Sequence, residues 1–369
     1  MKIGIMTFWW SDDNYGQLLQ CYALQKFLRD LGHDVFLIRY HEKWQPRPFY
    51  MKLLITLNPV RIYNYLAYKV KKRKLQKEKR KFDRKFDDFK SQFIRVSEQV
   101  FSTFEELKNA PPVADIYIVG SDQVWNPSLG GFNPYNFIHA YFLDFGEKKI
   151  KRYSYAASFG QVKLEQKWIK EITPLLKKFD YVSVREKNGI ELCKQCGVNN
   201  AEWVVDPTLL LTADDYRTLY YKYPIRKPEK KYLLLYMLGN KCNINIATVY
   251  EFANKKKLDV IYVTGNSAYD NYPKNFATIQ EWIYLIDNAE YVITNSFHCG
   301  VFSTIFHKQF GIIALSGKFK GMNARIDSLF EVCGTGRRYV SNNDYRILDK
   351  QYDIKKTDCS LSFKKKLYL

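Results

Sequence analysis

Several short segments of this chain combine residue types that move protons or hold anions. The sharpest is Tyr291-Val292-Ile293-Thr294-Asn295-Ser296-Phe297-His298-Cys299-Gly300, apolar strand residues that run into a polar turn and then a helix. Histidine is the side chain best suited to give and take a proton near neutral pH. His298 stands beside Asn295 and Ser296, where outward backbone N–H groups and a positive helix end attract an anion. The ordinary alternative is a lone structural histidine. Arg185, in Ser183-Val184-Arg185-Glu186, ends another strand; its guanidinium can hold a phosphate or carboxylate bidentately, or pair with Glu186 or a carboxylate across the cleft. Arg325, in Gly321-Met322-Asn323-Ala324-Arg325, offers a second positive charge or is a surface arginine.

Two more segments suit a hydroxyl-rich ligand. In Gly120-Ser121-Asp122-Gln123-Val124-Trp125-Asn126-Pro127, Asp122 and Gln123 can pair with sugar hydroxyls and Trp125 can stack on the sugar's apolar face. Alternatively, Asp122 caps a helix and Trp125 is half-buried. Asn14-Tyr15-Gly16 opens the first helix and offers N–H groups to an anion or a sugar, or is a turn glycine with a capping Asn. GxGxxG, a P-loop, HExxH and GxSxG are all missing. Cys193-Lys-Gln-Cys196 is a lone CxxC, best read as two ordinary thiols, and no metal site is expected.

These residues need elements to place them. Ile3–Phe8 reads as a strand, Leu18–Leu31 as a helix stopped at Gly32, and Asp34–Tyr40 as a second strand, so a parallel βαβ unit opens the chain. Strands follow at Asp115–Gly120, Arg152–Phe159, Tyr181–Arg185 and Trp203–Pro207, with a helix at Leu164–Phe179. A second series has strands Tyr232–Leu238, Asp259–Thr264, Tyr291–Thr294 and Phe310–Leu315. Its helices fall near Ile244–Asn254, Thr278–Asn288, Val301–His307 and Ala324–Val332. The expected fold class is α/β, two doubly wound Rossmann-like domains facing a cleft, with ligands beyond the carboxyl ends of the strands. The first domain spans 1–220 with a basic helical insertion at about 60–95. The second spans 221–345, after a hinge near Tyr220–Lys231, and 346–369 is a tail.

Composition sets the surroundings. With 369 residues and 46% apolar content the chain supports a full core. Lys and Arg number 58 against 38 Asp and Glu, a net charge of +20. Such a balance favours polyanionic neighbours. Residues 69–90 hold 12 Lys or Arg and 4 Asp or Glu, so 12 − 4 = +8 sits there, with Phe82, Phe86, Phe89 and Phe93 at helical spacing. That reads as a surface helix docked by its Phe stripe; attraction to an anionic membrane surface is the next reading, and nucleic acid is not expected. No signal peptide and no membrane span is read, so the expected location is cytoplasmic, with any membrane association peripheral on the inner face.

Six ordered pieces resemble the polysaccharide pyruvyltransferase family: Met1–Gly4 with Asn14-Tyr15-Gly16 and Leu19-Gln20; Gly120–Trp125; Tyr155-Ala156-Ala157-Ser158-Phe159-Gly160; Ser183–Glu186; Asp206-Pro207-Thr208; and Asn295–Gly300. The resemblance implies a glycosyltransferase-B-like fold, phosphoenolpyruvate as donor, no cofactor, and a pyruvate ketal on a sugar of a surface polysaccharide or lipid-linked repeat unit. By similarity His298 is the general acid and donor ligand, and Arg185 grips the donor anion. Asn295, Ser296 and Arg325 complete the expected donor side. Asp122 serves the acceptor hydroxyl, with Asn14, Tyr15, Gly16, Gln123 and Trp125 around the sugar. Many members carry Arg where this chain has Ser296, and Arg325 is the candidate substitute. Two rival readings remain open: a glycosyltransferase using a nucleotide sugar, and a non-catalytic saccharide-binding relative.

Overall fold

The computed structural model describes residues 1–42, 82–131, 133–239, 243–265 and 270–355, with 63, 67, 69, 70, 73 and 77. The first half runs β1 (Lys2–Met6), α1 (Tyr15–Asp30), β2 (Asp34–Tyr40), α2 (Phe86–Phe93), β3 (Val96–Phe101), α3 (Phe104–Asn109), β4 (Ile116–Val119), α4 (Pro134–Tyr141) and β5 (Lys151–Ser154). It continues through α5 (Gln166–Leu176), β6 (Ser183–Val184), α6 (Asn188–Gln195), β7 (Glu202–Trp203) and α7 (Ala213–Tyr221). The second half comprises β8 (Tyr232–Met237), α8 (Ile246–Lys255), β9 (Asp259–Thr264), α9 (Ile279–Asp287), β10 (Tyr291–Thr294), α10 (Phe297–Ile305), β11 (Gln309–Ile313), α11 (Ala324–Cys333) and β12 (Tyr339–Val340).

Two parallel sheets result, in the orders β3-β2-β1-β4-β5 and β12-β11-β10-β8-β9. The pair β6-β7 continues the first sheet through bridges Tyr153–Tyr181 and Ala157–Val184. Strands such as β4 and β8 are buried along their whole length, as expected when helices cover both faces of a parallel sheet. Strand order reverses between β1 and β4 in the first sheet and between β8 and β10 in the second. Ligands of doubly wound sheets lie at such reversals, beyond the carboxyl ends. The segments after β1, β4 and β10 are those with the chemistry-bearing residues.

The two halves meet through side chains rooted in α1. The Tyr15 ring stacks on Trp282 of α9 at 5.0 Å and 3°, and its hydroxyl donates to Ala277 O at 2.7 Å. Tyr236 and Phe86 close the sides at 5.7 and 5.1 Å. Arg217 of α7 grips Asp287 of α9 with two bonds, 2.8 and 3.0 Å.

Element boundaries differ from the sequence reading in instructive places. α10 starts at Phe297, four residues early, because the Ser296 hydroxyl accepts from Cys299 N at 3.3 Å and caps it. The basic-helix expectation lies largely outside the described residues. Within them, α2 buries Phe86 and Phe89 and packs Phe89 and Phe93 on Tyr22, so this end of the Phe stripe is docked. Helices α3, α4, α6 and α7 and strands β3 and β12 are absent from the sequence reading. Among the described residues no helix is long and apolar enough to cross a membrane.

Tyr15→Ala removes a buried ring and a hydrogen bond from the joint. It should cost ~3–5 kcal/mol in denaturant unfolding. A loss under 1 kcal/mol would show that the halves are not joined there.

Candidate functional site

The carboxylate of Asp206 is the centre of the cleft. It follows β7, caps the turn Pro207–Leu210 through Thr208 N, and its side chain is fully buried. Oδ1 accepts from Thr208 N at 3.0 Å and from Thr208 Oγ1 at 2.7 Å. Oδ2 accepts from Ser121 Oγ at 2.8 Å and Arg185 Nη1 at 3.0 Å. His298 Nε2 lies 3.6 Å from the same oxygen, an ionic contact longer than a hydrogen bond. Burial alone would raise the Asp206 pKa; the His298 imidazole, the Arg185 guanidinium and the Thr208 hydroxyl outweigh it and hold the carboxyl well below the usual range. One carboxylate thus ties together the segments after β4, β6, β7 and β10.

His298 occupies the first turn of α10, buried, with Nε2 lacking a hydrogen-bond partner. Its other face lies against α1. A Cβ on Gly16 would sit 2.2 Å from His298 Cγ and 2.3 Å from Nδ1. Gly16 is therefore required by close approach across the cleft, not by its own φ. The first turns of α1 and α10 meet here, and neither contains an acidic residue.

Phe297 stands between two cations. The Arg185 guanidinium lies 4.6 Å from its ring centroid and that of Arg325 lies 5.8 Å away. They differ in charge balance. Burial works against the Arg185 cation, but Asp206, Asp122 and Glu186 more than compensate and raise its pKa. Its Nη2 is 3.5 Å from Asp122 Oδ1 and its Nε is buried without an acceptor. Arg325 is also buried, with Nε donating to Met322 O at 3.2 Å. Burial and the neighbouring Arg185 lower its pKa from 12.5 to about 10. Among the described residues no carboxylate pairs with it. Two cations side by side, one lacking a counter-ion, make a seat for an anion.

Asp122 adopts φ +72°, uncommon for a residue with a side chain. Its Oδ1 accepts from Gln123 N at 2.9 Å, and its carbonyl accepts from Ser158 N at 3.0 Å. Gln123 faces Asn126, which donates to its Oε1 at 3.0 Å, and Gln161 Nε2 donates to Asn126 Oδ1 at 2.7 Å. This polar row lines the first sheet's side of the cleft.

The remaining predicted residues hold other posts. Trp125 is 1% exposed; its Nε1 donates to Tyr141 O at 3.1 Å and its ring stacks on Phe142 at 5.0 Å, leaving no face for a sugar. Tyr15 is spent in the joint. Asn14 caps α1 through Gln17 N at 3.4 Å. Asn295 Oδ1 accepts from Leu238 N at 2.7 Å and fastens the ends of β8 and β10 together. The Ser296 hydroxyl caps α10. Glu186 is not the ion partner of Arg185: its Oε1 accepts from Phe159 N at 2.8 Å, Ser158 Oγ at 3.0 Å and Gly160 N at 3.2 Å. Burial pushes the Cys299 thiol up to about 12, so it carries no thiolate at neutral pH. Among the described residues no group of three or more His, Cys, Asp or Glu is placed to hold a metal.

Sequence reasoning assigned no role to Asp206, although Asp-Pro-Thr after a strand is a capping signal that fixes a carboxylate at a strand end. Phe297 likewise was assigned no role of its own.

The depressed Asp206 carboxyl stabilises the fold fully above its unfolded value near pH 4, and this contribution fades as pH falls toward the lower folded value. Asp206→Asn should therefore flatten the acid limb of stability below about pH 4. At neutral pH it should cost ~3–5 kcal/mol, since Arg185 is left buried without its partner. Urea unfolding at pH 3, 5 and 7 checks both; parallel curves for variant and wild type would refute the assignment.

The comparisons with known proteins agree with this architecture. UDP-N-acetylglucosamine 2-epimerase from Rickettsia bellii aligns with a TM-score of 0.52 at 11% identity, covering 99% of this chain and 93% of that one. The Methanocaldococcus jannaschii UDP-GlcNAc 2-epimerase, crystallised with UDP-GlcNAc and UDP, gives 0.50 at 12% identity, covering 98% and 93%. S. aureus MnaA in its UDP co-structure gives 0.51 at 11%, covering 94% and 86%. At these identities they show the fold alone, two Rossmann-like domains in the glycosyltransferase-B arrangement. No curated protein matches the chain. The polysaccharide pyruvyl transferase family matches residues 14–317, and since that is most of the sequence, the chain belongs to that family.

Proposed function

We propose that this protein transfers the enolpyruvyl carbons of phosphoenolpyruvate to two hydroxyls of one sugar, releasing phosphate and leaving a cyclic pyruvate ketal. The observation that carries the reading is the buried pair Arg185 and Arg325 about Phe297, with His298 beside it. A small anion with both phosphate and carboxylate suits two guanidiniums, and an enol phosphate needs an acid at its methylene carbon.

Protonation of that methylene by His298 makes the adjacent carbon electrophilic. One sugar hydroxyl adds there, and Asp122 accepts its proton. The C–O bond to phosphate breaks, the second hydroxyl closes the ring, and its proton leaves with the phosphate. Asp122 then gives up the first hydroxyl's proton to solvent and His298 takes one back from solvent, so the new methyl hydrogen is accounted for. Asp206 orients His298 and Arg185; Arg325 carries the donor charge that an Arg at position 296 supplies in other members. Donor binding draws on both domains, Arg185 from the first and His298 and Arg325 from the second, and acceptor binding falls to the first, along Asp122, Gln123, Asn126 and Gln161. The acceptor is a sugar of a surface polysaccharide or lipid-linked unit, and the +20 charge favours approach to an anionic membrane face.

Incubation with phosphoenolpyruvate and a panel of galactosides, read by phosphate release and a mass gain on the sugar, tests the reaction. Product from a UDP or GDP sugar, and none from phosphoenolpyruvate, would replace this reading with glycosyl transfer. His298→Ala should lower turnover by about 10²–10⁴-fold. Arg325→Gln should raise KM for phosphoenolpyruvate by about 10- to 100-fold with a smaller change in kcat. Gly16→Ala should displace the imidazole and lower kcat while leaving the far-ultraviolet spectrum intact; unchanged kcat would remove the contact from the mechanism.

A further inference from the structure

Arg84 carries a charge that nothing described so far uses. It precedes α2, yet its guanidinium crosses to the second sheet, where Nη2 donates to Thr264 O at the carboxyl end of β9, 2.8 Å away. Its plane lies 4.9 Å from the Phe276 ring and 5.8 Å from the Tyr15 ring. The residue is 6% exposed, and Nε and Nη1 are buried without any acceptor. Among the described residues no carboxylate pairs with it. Asp13, on the same side of the joint, accepts from Ser11 Oγ at 3.4 Å. A buried guanidinium with unused donors and no counter-ion is costly, and such groups call for a partner.

This is not a stray surface arginine. Lys85 turns the chain in the left-handed region at φ +53°, Phe86 packs on Tyr15 at 5.1 Å, and Lys90 pairs with Asp12 at 3.2 Å. These contacts hold Arg84 at the cleft beside the start of α1, whose positive end favours negative charge. Consecutive residues of α1 separate the two cationic places: Gly16 abuts His298, and the ring of Tyr15 faces Arg84.

We propose that Arg84 forms a second anion subsite, distinct from the Arg185–Arg325 pair, that takes a phosphate ester. Two idle guanidinium nitrogens suit the paired oxygens of a phosphate. The walls come from both halves of the molecule, Tyr15 and Arg84 against Thr264 and Phe276, so the ester enters as the cleft opens. The subsite itself does not depend on pyruvyl transfer; that reading bears only on which molecule carries the phosphate, the sugar acceptor or a nucleotide.

Calorimetric titration of the full chain with inorganic pyrophosphate tests it. Wild type and Arg325→Gln should both bind. Arg84→Gln should bind about 10- to 100-fold more weakly while its affinity for phosphoenolpyruvate stays within about twofold of wild type. Arg84→Lys, which keeps the charge but not the fork, should fall between and serves where Gln prevents folding. UDP binding no tighter than pyrophosphate assigns the phosphate to the acceptor; UDP binding that is much tighter and lost in Arg84→Gln assigns it to a nucleotide, and either result supports the subsite. Pyrophosphate affinity unchanged in Arg84→Gln, or abolished in Arg325→Gln alone, would overturn it. Arg84-dependent pyrophosphate binding in a protein that releases no phosphate from phosphoenolpyruvate keeps the subsite and removes the pyruvyl reading.

Discussion

The buried charge of Asp206 is the constraint on which the cleft depends. A carboxylate removed from water must be surrounded by donors and cations, or it protonates and loses its purpose. Here two donors come from its own turn, one from Ser121 and one from Arg185, with the His298 ring 3.6 Å away. Because these come from four different strand ends, satisfying one carboxylate fixes the relative positions of the groups proposed to do the chemistry. Arg185 shows the consequence. Its charge is largely matched by carboxylates, which fits a positioning cation that also faces the ligand. Arg325 is left to supply the unmatched charge.

Close approach is the second constraint. His298 belongs to α10 and Gly16 to α1, and the space between them admits no Cβ. The imidazole therefore has its final surroundings only when the two halves are together. The same joint is packed with aromatic rings a few residues away, around Tyr15 and Trp282. Tight packing there gives the Gly16–His298 contact a fixed geometry.

Much of this was legible in the sequence, for physical reasons. Buried parallel strands are short continuous apolar runs, so Asp34–Tyr40, Asp259–Thr264 and Tyr291–Thr294 were read to the residue. Strand-end polar segments likewise stood out at Asp122, Arg185 and His298. Burial, however, is not visible in residue type. Trp125 and Tyr15 carry both an apolar ring and a hydrogen-bonding tip, a combination equally suited to a sugar platform and to a core with one satisfied donor. Only the contacts with Tyr141 and Ala277 decide, and those lie 16 and 262 residues away. Arg325 was open between a donor cation and a surface arginine, and its burial is equally invisible in residue type. β3 was hidden because as an edge strand it carries a polar run, Ser97-Glu98-Gln99, between Val96 and Val100, with no long buried apolar run.

Position 296 shows how the chain reconciles its departure from the family pattern. Ser296 spends its hydroxyl on Cys299 N, which starts α10 four residues earlier than the hydrophobic periodicity suggests and sets His298 in the first turn. An arginine there would have to give up that cap or reach past it. A cation is present instead on α11, where Arg325 lies 5.8 Å from the Phe297 ring centroid and its Nε donates to Met322 O. Two guanidiniums thus stand about one ring, Arg185 after β6 and Arg325 in α11, while the Ser296 hydroxyl remains free to cap α10.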